Sequence, residues 1–177
     1  MDIQITNPHI LETLEDRGFK VKTGDEATNE LVQGMLFELG FEWSDGKKLA
    51  YQDATYLAFT SSGLSYSKST TRFEISDRKP YTIRAVRGLA LGSKLVAHNN
   101  IKDATHTRPR QPDNRLYLVT HEATYYWNKR SSEWKVSVMP PSEFASCLEA
   151  ISDEFDFDTP ELNGNSNKPK TQFDDVW

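Results

Sequence analysis

The sequence has little that would anchor a protein by covalent or membrane means. Cys147 is the only cysteine among 177 residues, which excludes an internal disulfide and favours a reducing compartment. No apolar run approaches the roughly 18 residues that a membrane-spanning helix requires, and the mean hydropathy is −0.66. The N-terminal residues lack the basic and apolar regions of a signal peptide. We therefore predict a soluble, cytoplasmic protein.

Signatures of catalysis and metal binding are also absent from the sequence. There is no glycine-rich phosphate loop, no Gly-x-Ser-x-Gly and no pair of cysteines or histidines at metal-ligand spacing. The acidic run after residue 152 lacks the glycine and the later glutamate of a calcium loop. Cys147 lies on a predicted apolar helix face, where a small buried hydrophobe is expected. We predict no catalytic residue, no metal site and no cofactor, and we interpret four dispersed histidines as surface or capping groups: His9, His98, His106 and His121.

Short β-branched or aromatic runs, separated by turn residues, occur in two groups of three. They are residues 55–60, 64–67 and 72–76 in the first group, and residues 115–120, 124–128 and 133–138 in the second. Such spacing predicts two antiparallel meanders. The two groups resemble one another weakly, which fits either an internal repeat or the convergence of two meanders on one pattern.

Helical patterns precede the first meander and follow the second. Asn7-Pro8 predicts a capped first helix that Gly18 ends. Thr23-x-x-Glu26 is typical of a capping box, and a helix with apolar positions at helical spacing follows it up to Gly40. The apolar positions of this helix are Ala27, Leu31, Met35 and Leu39, joined by Val32 and Leu36. The last helix is predicted to run through Phe144, Cys147, Leu148 and Ile151.

The composition divides the chain into four predicted regions. They are an α+β region at 1–95, a Pro/Arg loop at 96–114, a second meander with a helix at 115–151, and an acidic tail at 152–177. The tail has too few apolar residues to offset its ordering entropy, so we predict that it is disordered. Residues 81–98 fit a strand or a short helix equally well. The predicted fold class is α+β, with antiparallel meander sheets, helices packed on one face and a disordered acidic C-terminal tail.

Charge is unevenly distributed along the chain, although the net charge is only −5. Residues 1–63 carry −6, residues 64–136 carry +8, and residues 137–177 carry −7. The middle segment mixes basic and aromatic side chains, and this mixture is typical of single-stranded nucleic-acid binding, in which cations contact phosphates and rings stack on bases. The predicted binding residues are Arg72, Arg84, Arg87, Arg108, Arg110, Tyr125, Trp127, Lys129 and Arg130.

Two other interpretations of the middle segment stay open. All its rings can belong to the core while the cations decorate the surface, and the charged blocks can pair with one another in the fold. Alternation places Tyr125 and Trp127 on one face of a strand and Tyr126 on the other, so that one face is core and the other is open to a ligand. Trp134 is predicted to be buried, because Val136 and Val138 share its face.

The C-terminal residues follow an acidic stretch and end on an aromatic side chain. In this they resemble the tails of bacterial and phage single-stranded-DNA-binding proteins, although they lack an acidic run that ends in a proline–phenylalanine pair. The resemblance implies a tail whose tip docks on a partner protein and whose charge competes with nucleic acid for a basic groove. The matching residues are Phe173, Asp174, Asp175 and Trp177.

A second resemblance covers residues 20–76. A helix followed by Leu39-Gly40-Phe41-Glu42-Trp43, a Ser-Asp-Gly-Lys turn and a Tyr-Leu…Gly-Leu…Tyr meander is similar to accessory domains of tailed phages. It implies no activity, but it implies a phage origin and a location in the bacterial host cell. We therefore predict a non-enzymatic accessory protein that binds single-stranded nucleic acid and recruits a partner through its tail. The alternative is a protein-binding inhibitor or adaptor that captures a host factor by acidic charge mimicry.

Overall fold

The computed structural model describes residues 2–109 and 115–158, apart from the side chains of residues 144–146. Within these residues the α+β class is confirmed. The helices are α1 (Pro8–Asp16), α2 (Glu26–Glu38), α3 (Thr70–Ile75), α4 (Ile83–Leu91), α5 (Ser93–His98) and α6 (Pro141–Cys147). The strands are β1 (Phe19–Lys22), β2 (Tyr56–Thr60), β3 (Gly63–Ser67), β4 (Lys79–Tyr81), β5 (His106–Thr107), β6 (Leu116–Val119), β7 (Thr124–Asn128), β8 (Glu133–Val136) and β9 (Glu149–Ala150). In the described chain, no helix is long and apolar enough to cross a bilayer.

The first sheet contains four strands in the order β3-β2-β1-β4. Strand β1 pairs antiparallel with β2, where Phe19 lies opposite Phe59, and parallel with β4. The parallel pair makes this sheet mixed rather than purely antiparallel as predicted. Alternation sends Phe19 and Val21 to the same face as Leu57 and Phe59, and all four side chains are buried. We call this the inner face of the first sheet and the opposite one, which carries Lys20, the outer face.

The second sheet contains five strands in the order β8-β7-β6-β5-β9, and all its pairs are antiparallel. Strands β6, β7 and β8 form the predicted second meander, and β7 has the predicted bounds. The two-residue strands β5 and β9 extend the sheet. Strand β9 takes the place of the end of the predicted last helix, because α6 ends at Cys147 and Leu148 then packs into the core.

The two sheets share one hydrophobic core. The buried side chains that form it come from both sheets and include Phe19, Phe59, Tyr117 and Val119. A buried polar contact also joins the two parts of the chain, since Asn7 Nδ2 donates to the Thr120 carbonyl oxygen at 2.8 Å. The predicted regions 1–95 and 115–151 therefore contain most of one sheet each, but they pack around a common interior.

A second, smaller core lies against the other face of the second sheet. Its buried side chains are Leu95, Ala104, Leu116, Leu118, Trp134, Ile151 and Phe157. Phe157 belongs to the segment assigned above to the disordered tail. Asp153 of the same segment accepts hydrogen bonds from the backbone amides of Ile83 (3.2 Å) and Arg84 (2.7 Å) at the start of α4. Residues 152–158 are thus part of the folded body, and the rest of the predicted tail, 159–177, lies outside the described residues.

Local capping explains where the helices differ from the prediction. Residues 72–76 were expected to form a strand, but α3 contains most of them, because the Ser69 side chain accepts a hydrogen bond from the Arg72 amide at 3.3 Å. Residues 81–98 are mostly helical, since Thr82 caps α4 in the same way. The cap of α2 is Asp25 rather than the predicted Thr23.

The buried side of α2 is partly polar. It carries Asn29, Val32, Gln33 and Leu36. The predicted apolar position Leu31 is 58% exposed. Gln33 Oε1 accepts a hydrogen bond from Trp43 Nε1 at 2.9 Å, and Gln33 Nε2 donates to the Ala50 carbonyl oxygen at 2.6 Å. These bonds hold the long connection between α2 and β2 against the helix, so a buried amide stands where an apolar stripe was expected.

Candidate anion-binding cleft

Helix α3 covers the outer face of the first sheet. The Tyr56 hydroxyl lies 2.7 Å from Thr70 Oγ1 at the start of the helix. The Phe73 ring stacks on the Tyr56 ring with centroids 4.4 Å apart and planes 23° apart. These two contacts attach the start and the middle of the helix to β2. Between the helix and the sheet they leave a cleft of about 280 Å³.

Small side chains form the floor of this cleft. Ala58 of β2 is paired with Ser65 of β3 on the outer face. Ser67, two residues further along β3, lies on the same face. Leu57 and Tyr66 also line the cleft, but alternation directs their side chains to the inner face. Larger residues at the three floor positions would fill the space, so the depth of the cleft follows from their size.

The charged residues that line the cleft are all basic: Lys20, Arg72 and Arg78. The nearest acidic residues in the chain, Glu74 and Asp77, do not line it. Among the described residues, none of the three cations forms an ion pair with a carboxylate. Lys68, two residues before α3, is paired with Asp53. The cleft therefore carries three positive charges that its own lining does not neutralise.

Lys20 is held in a fixed position beneath α3. The residue is only 7% exposed to solvent. Its Nζ donates to three backbone carbonyl oxygens, those of Phe73 at 2.5 Å, Ser76 at 2.9 Å and Glu74 at 3.4 Å. These acceptors engage the N–H donors of the side chain. The charge also complements the negative end of the helix dipole, and it lies 4.8 Å from the centroid of the Phe73 ring.

The two arginines retain donors for an external acceptor. Arg72 lies in the middle of α3 and is exposed. Arg78 is half-buried, and its Nη1 reaches Ser76 Oγ at 3.4 Å. Its Nε is buried and has no hydrogen-bond partner in the described part of the protein. A buried donor without a partner is costly, and an oxyanion that reached it would satisfy it.

Aromatic rings adjoin the cleft on both sides of β2 and β3. Tyr56 and Phe73 form one wall. On the inner side, the Tyr66 ring stacks on Tyr51 with centroids 3.9 Å apart. Tyr66 is nevertheless 45% exposed. The exposed part of this ring lies across the edge strand β3 from the basic cleft and offers a stacking surface to a base or another aromatic ligand.

The structure distributes the predicted nucleic-acid-binding residues over several elements. Arg72 lies in the cleft. Arg84 on α4 donates to the Lys102 carbonyl oxygen at 2.6 Å and covers the Phe157 ring at 4.9 Å, so its guanidinium holds the C-terminal segment in place. Arg87 is exposed on the same helix. Desolvation raises the pKa of Asp103, and the positive charges of both arginines partly offset this rise.

The remaining predicted residues lie near the second sheet. Tyr125 and Trp127 pack partly against the second core, and Trp127 meets Trp134 edge to face with centroids 5.1 Å apart. Lys129 and Arg130 are exposed in the β7–β8 turn. Arg108 Nη1 lies 3.5 Å from Met139 Sδ. The other predicted positions, which lie outside the described residues, are Arg110, Phe173, Asp174, Asp175 and Trp177.

Both faces of β7 are packed, which differs from the expectation that one face is open. Tyr126 packs against the first core, while Tyr125 and Trp127 pack against the second. Trp134 is buried as predicted, but the reason given was wrong, because Val136 is 59% and Val138 is 93% exposed. Trp134 is held instead by the two asparagines that directly follow α5. Its backbone amide donates to Asn99 Oδ1 at 3.0 Å and its Nε1 to the Asn100 carbonyl oxygen at 3.2 Å.

Sequence reasoning missed Lys20, and it counted Arg78 among the cations of the middle segment without selecting it as a binding residue. The alternation of Lys20 and Lys22 with Phe19 and Val21 places both lysines on the face opposite the core. It does not reveal that a helix more than fifty residues later covers one of them. Arg78 lies in a connection between α3 and β4, where sequence periodicity carries no information about direction.

Buried polar groups elsewhere serve the interior. His106 and His9 are buried rather than exposed as interpreted above. Desolvation lowers the pKa of His106 to about 3 and also lowers the pKa of His9. His9 Nδ1 lies 2.7 Å from Thr124 Oγ1, and His106 Nδ1 lies 2.8 Å from Thr105 Oγ1. Among the residues that the structure describes, no group of three His, Cys, Asp or Glu side chains has the arrangement of a metal site.

Comparison of the chain with protein-family models, with curated proteins and with solved structures found no match. The function of the cleft therefore has to be argued from its own chemistry. That chemistry is cationic, lacks a carboxylate in the lining and includes aromatic walls next to an exposed tyrosine.

Proposed function

We propose that this protein binds single-stranded nucleic acid without catalysis, and that the cleft under α3 is its phosphate-binding site. The observation that carries the proposal is the set of three cations, Lys20, Arg72 and Arg78, without a carboxylate in the lining. Nucleic-acid binding draws most of its affinity from such phosphate contacts. Because these contacts are electrostatic, they predict strong dependence on salt concentration.

The aromatic neighbourhood supports a single strand over a duplex. A single strand that passes over the edge strand β3 can place one phosphate in the cleft on the outer face and stack an unpaired base on the exposed Tyr66 ring on the inner face. The bases of a duplex are already stacked on one another. The cleft volume of about 280 Å³ is near the lower limit of small-ligand pockets. It suits a phosphate with part of its nucleotide rather than a groove-filling element.

Three finer parts of the proposal rest on sequence resemblance. They are the phage origin, the location in the bacterial cytoplasm, and the recruitment of a partner protein by the C-terminal residues. The tail positions concerned lie outside the described residues. We propose these parts together with the binding function, and capture of a partner from a bacterial lysate tests the last of them.

The test is fluorescence anisotropy with labelled single-stranded DNA and RNA oligonucleotides at about 50 and 200 mM salt. The wild-type chain should bind at the lower concentration and lose most of its affinity at the higher one. The double variant Arg72→Ala/Arg78→Ala should lose binding at both. The matched control Lys48→Ala/Lys94→Ala removes two exposed cations outside the cleft and should retain most of the affinity.

The alternative class, an inhibitor that mimics acidic charge, makes the opposite prediction. It requires no oligonucleotide binding by the wild-type chain at any salt concentration, and retention of a protein partner by the double variant. Equal losses in the double variant and in its matched control would overturn the assignment of the cleft, because they would show that only overall charge matters.

A further inference from the structure

We infer that the cleft recognises a terminal phosphate, a phosphomonoester at the end of a strand, in preference to the internal phosphodiesters. This inference rests on the proposed function and narrows its ligand. Three features of the cleft favour a terminal phosphate, namely its charge, its donors and its size.

The first feature is the positive charge of the cleft, compared with the negative charge of each kind of phosphate. The lining provides three cations and no carboxylate. An internal phosphodiester carries a single negative charge, whereas a phosphomonoester carries about −1.5 to −2 at neutral pH. The terminal group therefore balances the cleft more completely. It also offers one more anionic oxygen as an acceptor.

The second feature is the set of N–H donors that the cleft offers to a ligand. Lys20 uses its N–H groups on the carbonyl oxygens of Phe73, Glu74 and Ser76, so it contributes charge rather than hydrogen bonds to a ligand. Arg72 and Arg78 bring guanidinium forks, which bind oxyanions through two parallel bonds. The partnerless Nε of Arg78 is the strongest sign of a missing acceptor. A phosphomonoester presents three terminal oxygens to the two forks and a phosphodiester presents two, so the terminal group can give more of the N–H donors an oxygen of their own.

The third feature is the volume of the cleft. The small floor residues Ala58, Ser65 and Ser67 create depth under α3, yet the whole cleft measures only about 280 Å³. An internal phosphate has a nucleotide on each side, and both need room beside it. A terminal phosphate has one. The limited volume therefore favours the end of a strand.

The experiment uses short oligonucleotides of one sequence and about ten nucleotides, labelled at an internal position, with a 5′-phosphate, a 3′-phosphate or no terminal phosphate. The full chain should bind one phosphorylated form about tenfold more tightly than the unphosphorylated strand, the gain expected from one additional charge-assisted hydrogen bond. The preference should shrink from about pH 7.5 to about pH 5.5, because the second ionisation of a phosphomonoester has a pKa near 6. Inorganic phosphate should compete with the phosphorylated strand.

Two variants connect the preference to the cleft. Arg78→Lys keeps the charge but removes the fork and the Nε donor, so it should lose the preference while keeping salt-dependent binding. Lys22→Arg, a conservative change at an exposed lysine outside the cleft lining, should leave the preference unchanged. Thermal unfolding of both variants checks that the fold is intact.

The outcomes separate this inference from the proposed function. Equal affinity for phosphorylated and unphosphorylated strands, with both lost in Arg72→Ala/Arg78→Ala, would overturn the terminal-phosphate preference and leave nucleic-acid binding in place. Absence of binding to every oligonucleotide would overturn both. Binding of inorganic phosphate without binding of any oligonucleotide would also overturn both, and would identify the ligand as a phosphate compound other than nucleic acid.

Discussion

The ammonium of Lys20 lies 2.5 Å from the carbonyl oxygen of Phe73, a residue 53 positions further along the chain. This contact closes the C-terminal end of α3 onto the outer face of the first sheet. It also fixes a positive charge under α3, the helix that carries Arg72. A strand residue and a helix terminus thus form one unit, and the cleft exists because they meet.

The first prediction tests this contact with Lys20→Met, which keeps the length of the side chain but removes its donors. The free energy of unfolding should fall by about 1.5–3 kcal/mol, the value of hydrogen bonds from a charged group. Amide exchange in α3 should accelerate more than exchange in α2. The control is Lys22→Met, an exposed lysine on the same strand. Equal exchange rates in α3 for both variants would show that Lys20 does not hold the helix.

The second prediction separates core rings from ligand-binding rings. Trp127→Ala should reduce the free energy of unfolding by about 3 kcal/mol, since this half-buried ring packs edge to face against Trp134. Oligonucleotide affinity should change little once the fold is kept intact by working well below the melting temperature. Tyr66→Ala should show the reverse, with affinity weakened by about 1–3 kcal/mol. A loss of affinity in Trp127→Ala alone would return the binding site to the second sheet.

The third prediction concerns where the folded body ends. A chain that ends at Asp158 should be as stable as the full chain, whereas a chain that ends at Ile151 should be less stable by about 2–4 kcal/mol. The shorter chain loses the Phe157 side chain from the second core and the Asp153 carboxylate at the start of α4. Urea unfolding of both chains measures the difference. Equal midpoints would mean that residues 152–158 add nothing to the fold.

The same two chains test the effect of the tail on binding. Residues 159–177 contain three acidic and two basic residues, so the charge removed by ending the chain at Asp158 is small. We expect at most a slight gain in oligonucleotide affinity at low salt. Loss of a protein partner at this truncation would assign that partner to the C-terminal residues, as the sequence predicts. Unchanged behaviour in both assays would leave residues 159–177 without a role in binding.

The fourth prediction concerns acid stability. Burial lowers the pKa of His106 to about 3, while the ordinary value in an unfolded chain is 6.5. Below pH 6.5 the unfolded chain therefore binds a proton that the folded chain does not, so stability is present above this pH and is lost as the pH falls toward 3. The loss should be about 1.4 kcal/mol per pH unit within that window.

Urea unfolding between about pH 7 and pH 5 measures this slope, a range that includes the ordinary pKa of histidine. The variant His106→Gln should make the slope smaller, because one of the two buried histidines is gone while His9, whose pKa burial also lowers, still contributes. His98→Gln serves as the control, since His98 is exposed at the end of α5. An unchanged slope in His106→Gln would contradict the burial argument.

Local sequence patterns were sufficient for the elements that local interactions decide. The Asn7-Pro8 cap gave the start of α1, and a β-branched and aromatic run between turn residues gave the bounds of β7. These signals depend on neighbours a few positions apart, so they are visible in one dimension. The α+β class follows from them, because both periods occur in the chain.

Only the tertiary structure decided the partners of those elements. Residues 72–76 have strand-like composition, yet the cap at Ser69 and the carbonyl contacts of Lys20 make most of them helical. The charged segment 152–158 looks disordered, yet Asp153 and Phe157 find partners on α4 and in the second core. The Ser69 cap is local, but the contacts of Lys20 with α3 and of Asp153 with α4 join residues more than fifty positions apart. The candidate site depends on such contacts throughout, because a cleft between a sheet and a later helix has no local signature in the sequence.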